Sequence, residues 1–157
     1  WLKEQTVKFV YISLSGNTKA FVQKMVDYFA FNHAEIPVET LDVKELVKEG
    51  QAYPDLDQPY VAFLPTYLEG GNGVDNGDQE ILTTDLRKLI AKGNNARNCL
   101  GIVGSGNRNF NNQFCLTAYQ YSEQFGFPVL DTYEMRGLTA DVERIAEKIV
   151  TVYGSEK

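Results

Sequence analysis

The stretch Tyr11–Phe21, YISLSGNTKAF, gathers Ser13, Ser15, Asn17 and Thr18 around Gly16, where an apolar run gives way to a helical pattern. A glycine there lets the backbone turn tightly. The hydroxyl and amide groups stand beside the unpaired N–H groups of a helix start, whose dipole favours an anion. That is the chemistry of a phosphate cradle. The loop has neither the Gly-Lys-Ser/Thr of a P-loop nor a GxGxxG run, and no lysine inside it supplies a counter-charge. A phosphomonoester held by neutral donors fits better than a nucleoside triphosphate. Asn17 or Thr18 would serve equally as a plain helix cap, and the two roles are compatible.

Two further stretches have the composition of ligand loops. PTYLEGGNGVDNGDQE, residues 65–80, carries glycines at 70, 71, 73 and 77 and the acids Glu69, Asp75, Asp78 and Glu80, with no lysine or arginine. Its glycines allow close backbone approach to a flat ligand, and Tyr67 offers a ring to stack on it; a plain surface connection is the alternative. GSGNRNFNNQF, residues 104–114, combines two glycines with Asn107, Asn109 and Phe110. Backbone amides and Asn side chains suit the polar edge of a ring system, and the run is longer than a helix cap requires. Together the three loops match a ligand with a phosphate at one end and a planar heterocycle at the other. Flavin mononucleotide (FMN) is such a ligand.

Such loops need a frame that brings them to one edge. Apolar, β-branched and aromatic runs at Val7–Ser13, Ile36–Leu41, Tyr60–Pro65, Cys99–Gly104 and Pro128–Met135 predict five strands. Amphipathic helices alternate with them. Phe21, Val22, Met25, Val26 and Phe29 share one face, as do Ile81, Leu82, Leu86, Leu89 and Ile90. Two more helices place Phe114, Ala118, Tyr121 and Phe125, then Leu138, Val142, Ile145, Ile149 and Val152, on their inner sides. A short helix is expected at Val43–Lys48, ended by Gly50 and Pro54. Nearly all-apolar strands alternating with helices predict a parallel sheet wound by right-handed crossovers, an α/β three-layer sandwich. Ligands of such sheets bind at the C-terminal ends of the strands near the switch in strand order, so the loops after strands one, three and four carry the site.

The 157 residues suit one domain spanning 1–157. A formal net charge of -6 and the lack of a basic run argue against a nucleic-acid partner. No window approaches the ~18 apolar residues of a membrane span, so no membrane association and a cytoplasmic location are expected. Cys99 and Cys115 form no CxxC pair and read as buried free thiols. His33, the one histidine, lies past a helix with no acidic cluster beside it in sequence and reads as a surface residue. One histidine leaves no Ser-His-Asp, Cys-His or multi-histidine metal arrangement, so hydrolysis is disfavoured and no metal site or protein catalytic residue is expected.

Three motifs, SLSGNTKAF (13–21), PTYLEGG (65–71) and above all GSGNRNFNNQFC (104–115), resemble in order and spacing the NrdI family, flavodoxin-like proteins serving class Ib ribonucleotide reductase. The resemblance implies a flavodoxin-like sandwich with a five-stranded parallel sheet in 2-1-3-4-5 order, helices on both faces, and non-covalent FMN. It implies that Ser13, Ser15, Gly16, Asn17 and Thr18 hold the phosphate. Thr66, Tyr67, Gly70, Gly71, Ser105, Gly106, Asn107, Asn109 and Phe110 would border the isoalloxazine. It also implies a function: reduced FMN converts dioxygen to superoxide for assembly of the dimanganese-tyrosyl radical cofactor of the reductase small subunit. A separate, unidentified reductant reloads the flavin. On this reading no protein acid, base or nucleophile is required, because the electron chemistry belongs to the flavin. The acidic glycine-rich loop would gate oxygen and dock the small subunit.

Two rivals stand beside this reading. A general one-electron carrier flavodoxin shares the phosphate loop, but GSGNRNF weighs against it. A receiver-type signalling domain shares the strand order, but needs an aspartate at the end of strand three, where Pro65 and Thr66 stand.

Overall fold

The computed structural model describes residues 5–14, 16–66, 68–70, 78–80, 83–106 and 115–154, with the backbone alone at 68–70 and 78–80. Strands β1 (Val7–Tyr11), β2 (Val38–Asp42), β3 (Tyr60–Pro65), β6 (Cys99–Gly106) and β7 (Val129–Glu134) form one sheet ordered β2-β1-β3-β6-β7. Every pairing in it is parallel. Counting these strands alone, the order is 2-1-3-4-5, as expected.

Between β3 and α3 lies a feature absent from the sequence reading. Strands β4 (Leu68–Gly70) and β5 (Asp78–Glu80) pair antiparallel, Leu68 opposite Glu80 and Gly70 opposite Asp78. The glycine-rich stretch is therefore anchored by a small ladder at both ends; residues 71–77 lie outside the described ones.

Among the described residues five α-helices flank the main sheet: α1 (Asn17–Asn32), α2 (Val43–Lys48), α3 (Thr84–Ala91), α4 (Leu116–Phe125) and α5 (Thr139–Gly154). Strand alternation sends Val7, Phe9 and Tyr11 to one face, where they meet Phe21, Met25 and Phe29 of α1 and Val142, Ile145 and Ile149 of α5. Val10 and Ile12 go to the other, against Leu86, Leu89 and Ile90 of α3 and Ala118 and Tyr121 of α4. All six residues of β3 are buried, as a central strand covered on both faces must be.

Several boundaries move. β2 begins at Val38 rather than Ile36, after Pro37, which has no N–H for a ladder although its carbonyl accepts from Val7 N–H at 2.9 Å. β1 leaves its ladder at Tyr11, so Ile12 and Ser13 already belong to the loop, whereas β6 runs on to Gly106. α3 starts at Thr84; Ile81 and Leu82 lie outside the described residues, as does Phe114 before α4. In α5 the expected end positions are corrected. Leu138 precedes the helix and is 73% exposed, and Tyr153 takes the core position given to Val152.

α5 is also tied to the outer strand by charge. Asp131 receives Arg144 Nε and Lys148 Nζ, each at 2.8 Å, and the same cations reach the β7 carbonyls of Thr132 (3.2 Å) and Leu130 (3.4 Å). Burial raises the Asp131 pKa, but Arg144, Lys148 and the Thr132 N–H outweigh it and hold the carboxyl below its ordinary value. His33 departs from expectation as well. Its side chain is only 21% exposed, with Nε2 2.8 Å from Glu147 Oε2, an oxygen that also accepts from Tyr28 Oη at 2.7 Å. The fold brings α5 to the end of α1 and supplies an acid that local sequence does not show. Cys99 and Cys115 are free and buried, as expected.

Candidate functional site

β1, β3 and β6 are neighbours in the sheet, so their C-terminal loops emerge side by side at the point where strand order reverses. The first loop enters α1 through Gly16, at φ 92°, a left-handed conformation open to glycine and strained for other residues. Gly16 makes no side-chain cap, and neither Asn17 nor Thr18 takes that role. Instead Ser13 Oγ reaches back to accept from Lys19 N–H at 3.1 Å. One orphan amide of the first turn is thereby closed from within, and the Ser13 hydrogen remains available to an anion. The first turn contains no acidic residue. Thr18, like Ser13, is buried, whereas Gly16 is exposed and Asn17 half-buried.

The second and third loops are stitched together where they leave the sheet. Thr66 N–H donates to Ser105 carbonyl at 3.0 Å, and Pro65 stands in register with Ser105. Ser105 pairs onward with Tyr133, and Met135 N–H donates to the Gly106 carbonyl at 2.9 Å. Ser13, Thr18, Thr66, Ser105 and Gly106 thus stand at one edge of the sheet. Gly70 lies opposite Asp78 in the hairpin that follows Thr66. Ser15, Tyr67, Gly71, Asn107, Asn109 and Phe110 lie outside the described residues.

Gly104 lets α4 approach this edge: a Cβ there would lie 2.8 Å from Ala118 Cβ and 3.3 Å from Cys115 Cβ. Cys115, just ahead of α4, adopts φ 56°, a positive value uncommon for a residue with a side chain.

Two features bear on the fit of a phosphate-bearing, planar ligand. The donors gathered at the α1 start are neutral, and Thr66 Oγ1 is buried without a hydrogen-bond partner among the described residues. Two more hydroxyls at this end share that condition: Thr117 Oγ1 in the first turn of α4 and Tyr133 Oη near the end of β7. Native proteins pair nearly all buried polar atoms, so orphans gathered at one edge suit a site completed by a ligand. Sequence reasoning singled out neither Thr117 nor Tyr133. Both lie within apolar patterns, and only the sheet order brings them to this edge.

A doubly wound sheet with a hydroxyl-lined loop at its switch point defines the flavodoxin-like class. Residues 9–147 match the family model described as NrdI Flavodoxin like. This chain is 59% identical over 153 residues to an NrdI-like protein of Streptococcus pneumoniae strain R6, covering 98% of each. It is 30% identical to Protein NrdI of Mycoplasma genitalium, covering 88% of this chain and 78% of the other. The chain therefore belongs to the NrdI flavodoxin-like family.

Among solved structures, a short-chain flavodoxin associated with a non-canonical PDU bacterial microcompartment superposes with a TM-score of 0.68 at 15% identity. The match covers 98% of this chain and all of the other (100%). Two-electron reduced Megasphaera elsdenii flavodoxin gives 0.55 at 17% identity, covering 93% and 99%. These likenesses carry the fold. The cofactor that the family and its flavodoxin neighbours imply is FMN. Among the described residues no helix is long and apolar enough to cross a membrane, and no cluster of three metal-ligating side chains occurs.

Proposed function

We propose that residues 1–157 form one FMN-binding domain of an NrdI-type flavoprotein that acts in the cytoplasm on the small subunit of class Ib ribonucleotide reductase. The observation that carries the reading is the convergence of Ser13, Thr18, Thr66 and Ser105 at the ends of three neighbouring strands, with the Thr66 hydroxyl unpartnered among the described residues. Ser13, Ser15, Gly16, Asn17 and Thr18 hold the phosphate. Ser13 donates the hydrogen its cap leaves over, and the first-turn amides add N–H groups that have no intrahelical acceptor. Thr66, Tyr67, Gly70, Gly71, Ser105, Gly106, Asn107, Asn109 and Phe110 border the ring. When bound and reduced, FMN supplies the one-electron reduction of dioxygen to superoxide, which serves assembly of the dimanganese-tyrosyl radical cofactor in the partner. The protein's part is binding, orientation and electrostatics. The acidic residues of 69–80 disfavour added negative charge nearby and offer a docking surface for the small subunit.

The test is an EPR assay. FMN-loaded protein, reduced anaerobically by a chosen reductant, is mixed with a manganese-loaded class Ib small subunit of the same source and exposed to oxygen. A tyrosyl-radical signal that depends on this protein is the expected result. Normal flavin reoxidation without the radical would replace this reading with that of a general electron carrier.

A further inference from the structure

Five tyrosines are buried among the described residues, and three of their hydroxyls have close acceptors. Tyr60 donates to the Asn95 carbonyl (2.8 Å), Tyr121 to the Thr83 carbonyl (3.3 Å) and Tyr153 to the Pro59 carbonyl (2.9 Å), while Tyr11 has the Asp42 carboxylate nearby. Tyr133, 2% exposed, has none of good geometry.

Its place is tightly fixed. The ring stacks on Phe21 with centroids 3.8 Å apart and planes 11° from parallel, and Phe21 lies three residues beyond Thr18 on α1. Gly137, at φ 75°, closes over the pair: a Cβ there would meet Phe21 at 2.6 Å and Tyr133 at 3.2 Å. On the sheet side Tyr133 stands in register with Ser105. The phenol is thus held between the first turn of α1 and the end of β6. Burial pushes its pKa well up, the neighbouring Ser105 and Thr18 hydroxyls pull it back, and Cys115 and Asp141 add to the rise. It stays protonated, a donor awaiting an acceptor.

We propose that Tyr133 is a positioning residue of the phosphate cradle: its hydroxyl donates to Thr18 Oγ1, so that the Thr18 hydrogen is directed outward to a phosphate oxygen. The inference rests on the reading of this edge as the FMN site. A threonine hydroxyl has one hydrogen and two lone pairs. A donor behind it settles which way that hydrogen points. An anion in front polarises the whole row of hydroxyls in one direction, Ser105 to Tyr133 to Thr18.

The experiment titrates the full chain, freed of flavin, with FMN and with riboflavin, which lacks the phosphate. Tyr133→Phe keeps the ring stack and removes only the hydroxyl. The expected result is FMN affinity weakened by about three- to tenfold, the scale of one hydrogen bond between neutral groups, with riboflavin affinity unchanged. In a Thr18→Ala background the same change adds nothing further to the loss. The flavin-free melting temperature does not fall, since the phenol has no bond to lose. An unchanged ratio of FMN to riboflavin affinity would overturn the proposal, as would a lower melting temperature with both ligands weakened alike, the mark of a packing role. Failure of the unaltered chain to bind FMN would instead remove the reading of the site, a distinct result.

Discussion

The two ends of the central sheet treat their buried polar groups in opposite ways. At the end where the strands begin, every named group is closed. Asn95, 2% exposed, accepts from Leu56 N–H at 2.7 Å and donates to the carbonyls of Leu89 (2.7 Å) and Pro54 (3.1 Å). Tyr153 Oη donates to Pro59 and accepts from Lys8 N–H at 3.0 Å. At the end where the strands finish, Thr66, Thr117 and Tyr133 keep unpartnered hydroxyls. The named groups are buried at both ends, so exposure does not explain the difference. One end is finished by the chain itself, and the other keeps donors in reserve, as a binding edge does.

The largest way to test this contrast is Asn95→Ala. It strands the Leu56 N–H and two carbonyls, so stability should fall by about 3 kcal/mol and the melting temperature by about 6–12 °C. FMN affinity, measured by fluorescence quenching on the folded variant, should not move. A shift in affinity would mean that the two ends are coupled. Asp131→Asn probes the outer strand between them. Its cationic partners are more than a third exposed, so the loss should be no more than about 1 kcal/mol and should shrink with added salt. The folded-state pKa of Asp131 is depressed, so its contribution is fully present above the unfolded value of about 3.9 and disappears as pH falls through the folded value. Thermal melts of variant and unaltered protein should therefore converge at the acid end; a gap that persists there would assign the loss to packing. Thr66→Val should have the smallest effect on stability, within about 1 °C, because no bond is lost, while FMN affinity drops a few-fold. A clear fall in melting temperature would show that the hydroxyl is structural after all, and would erase the contrast.

The frame was legible because it is written in periodicity. Tyr60–Pro65 and Val43–Lys48 fall where apolar runs and helix breakers put them, and strand order followed from the family resemblance. The phosphate loop was legible in its residue types but not in its division of labour. Composition suggested Asn17 or Thr18 as the cap, whereas Ser13 does it from outside the helix. The acid beside His33 was hidden because Glu147 arrives from another helix, 114 residues away in the chain. Thr117 and Tyr133 were hidden for the same reason: their significance is an unmet bond, and a missing partner leaves no trace in local sequence.

The Arg144 and Lys148 contacts with β7 have a consequence beyond holding α5 in place. β7 closes one side of the sheet, and the carbonyls of Leu130 and Thr132 accept from those two cations. On the opposite side β2 exposes Glu39 and Thr40. Open strand edges are where one chain templates the next. Here one edge has its acceptors occupied by basic side chains and the other is marked by an acid, so both sides of the sheet oppose stacking of chain on chain in a crowded solution.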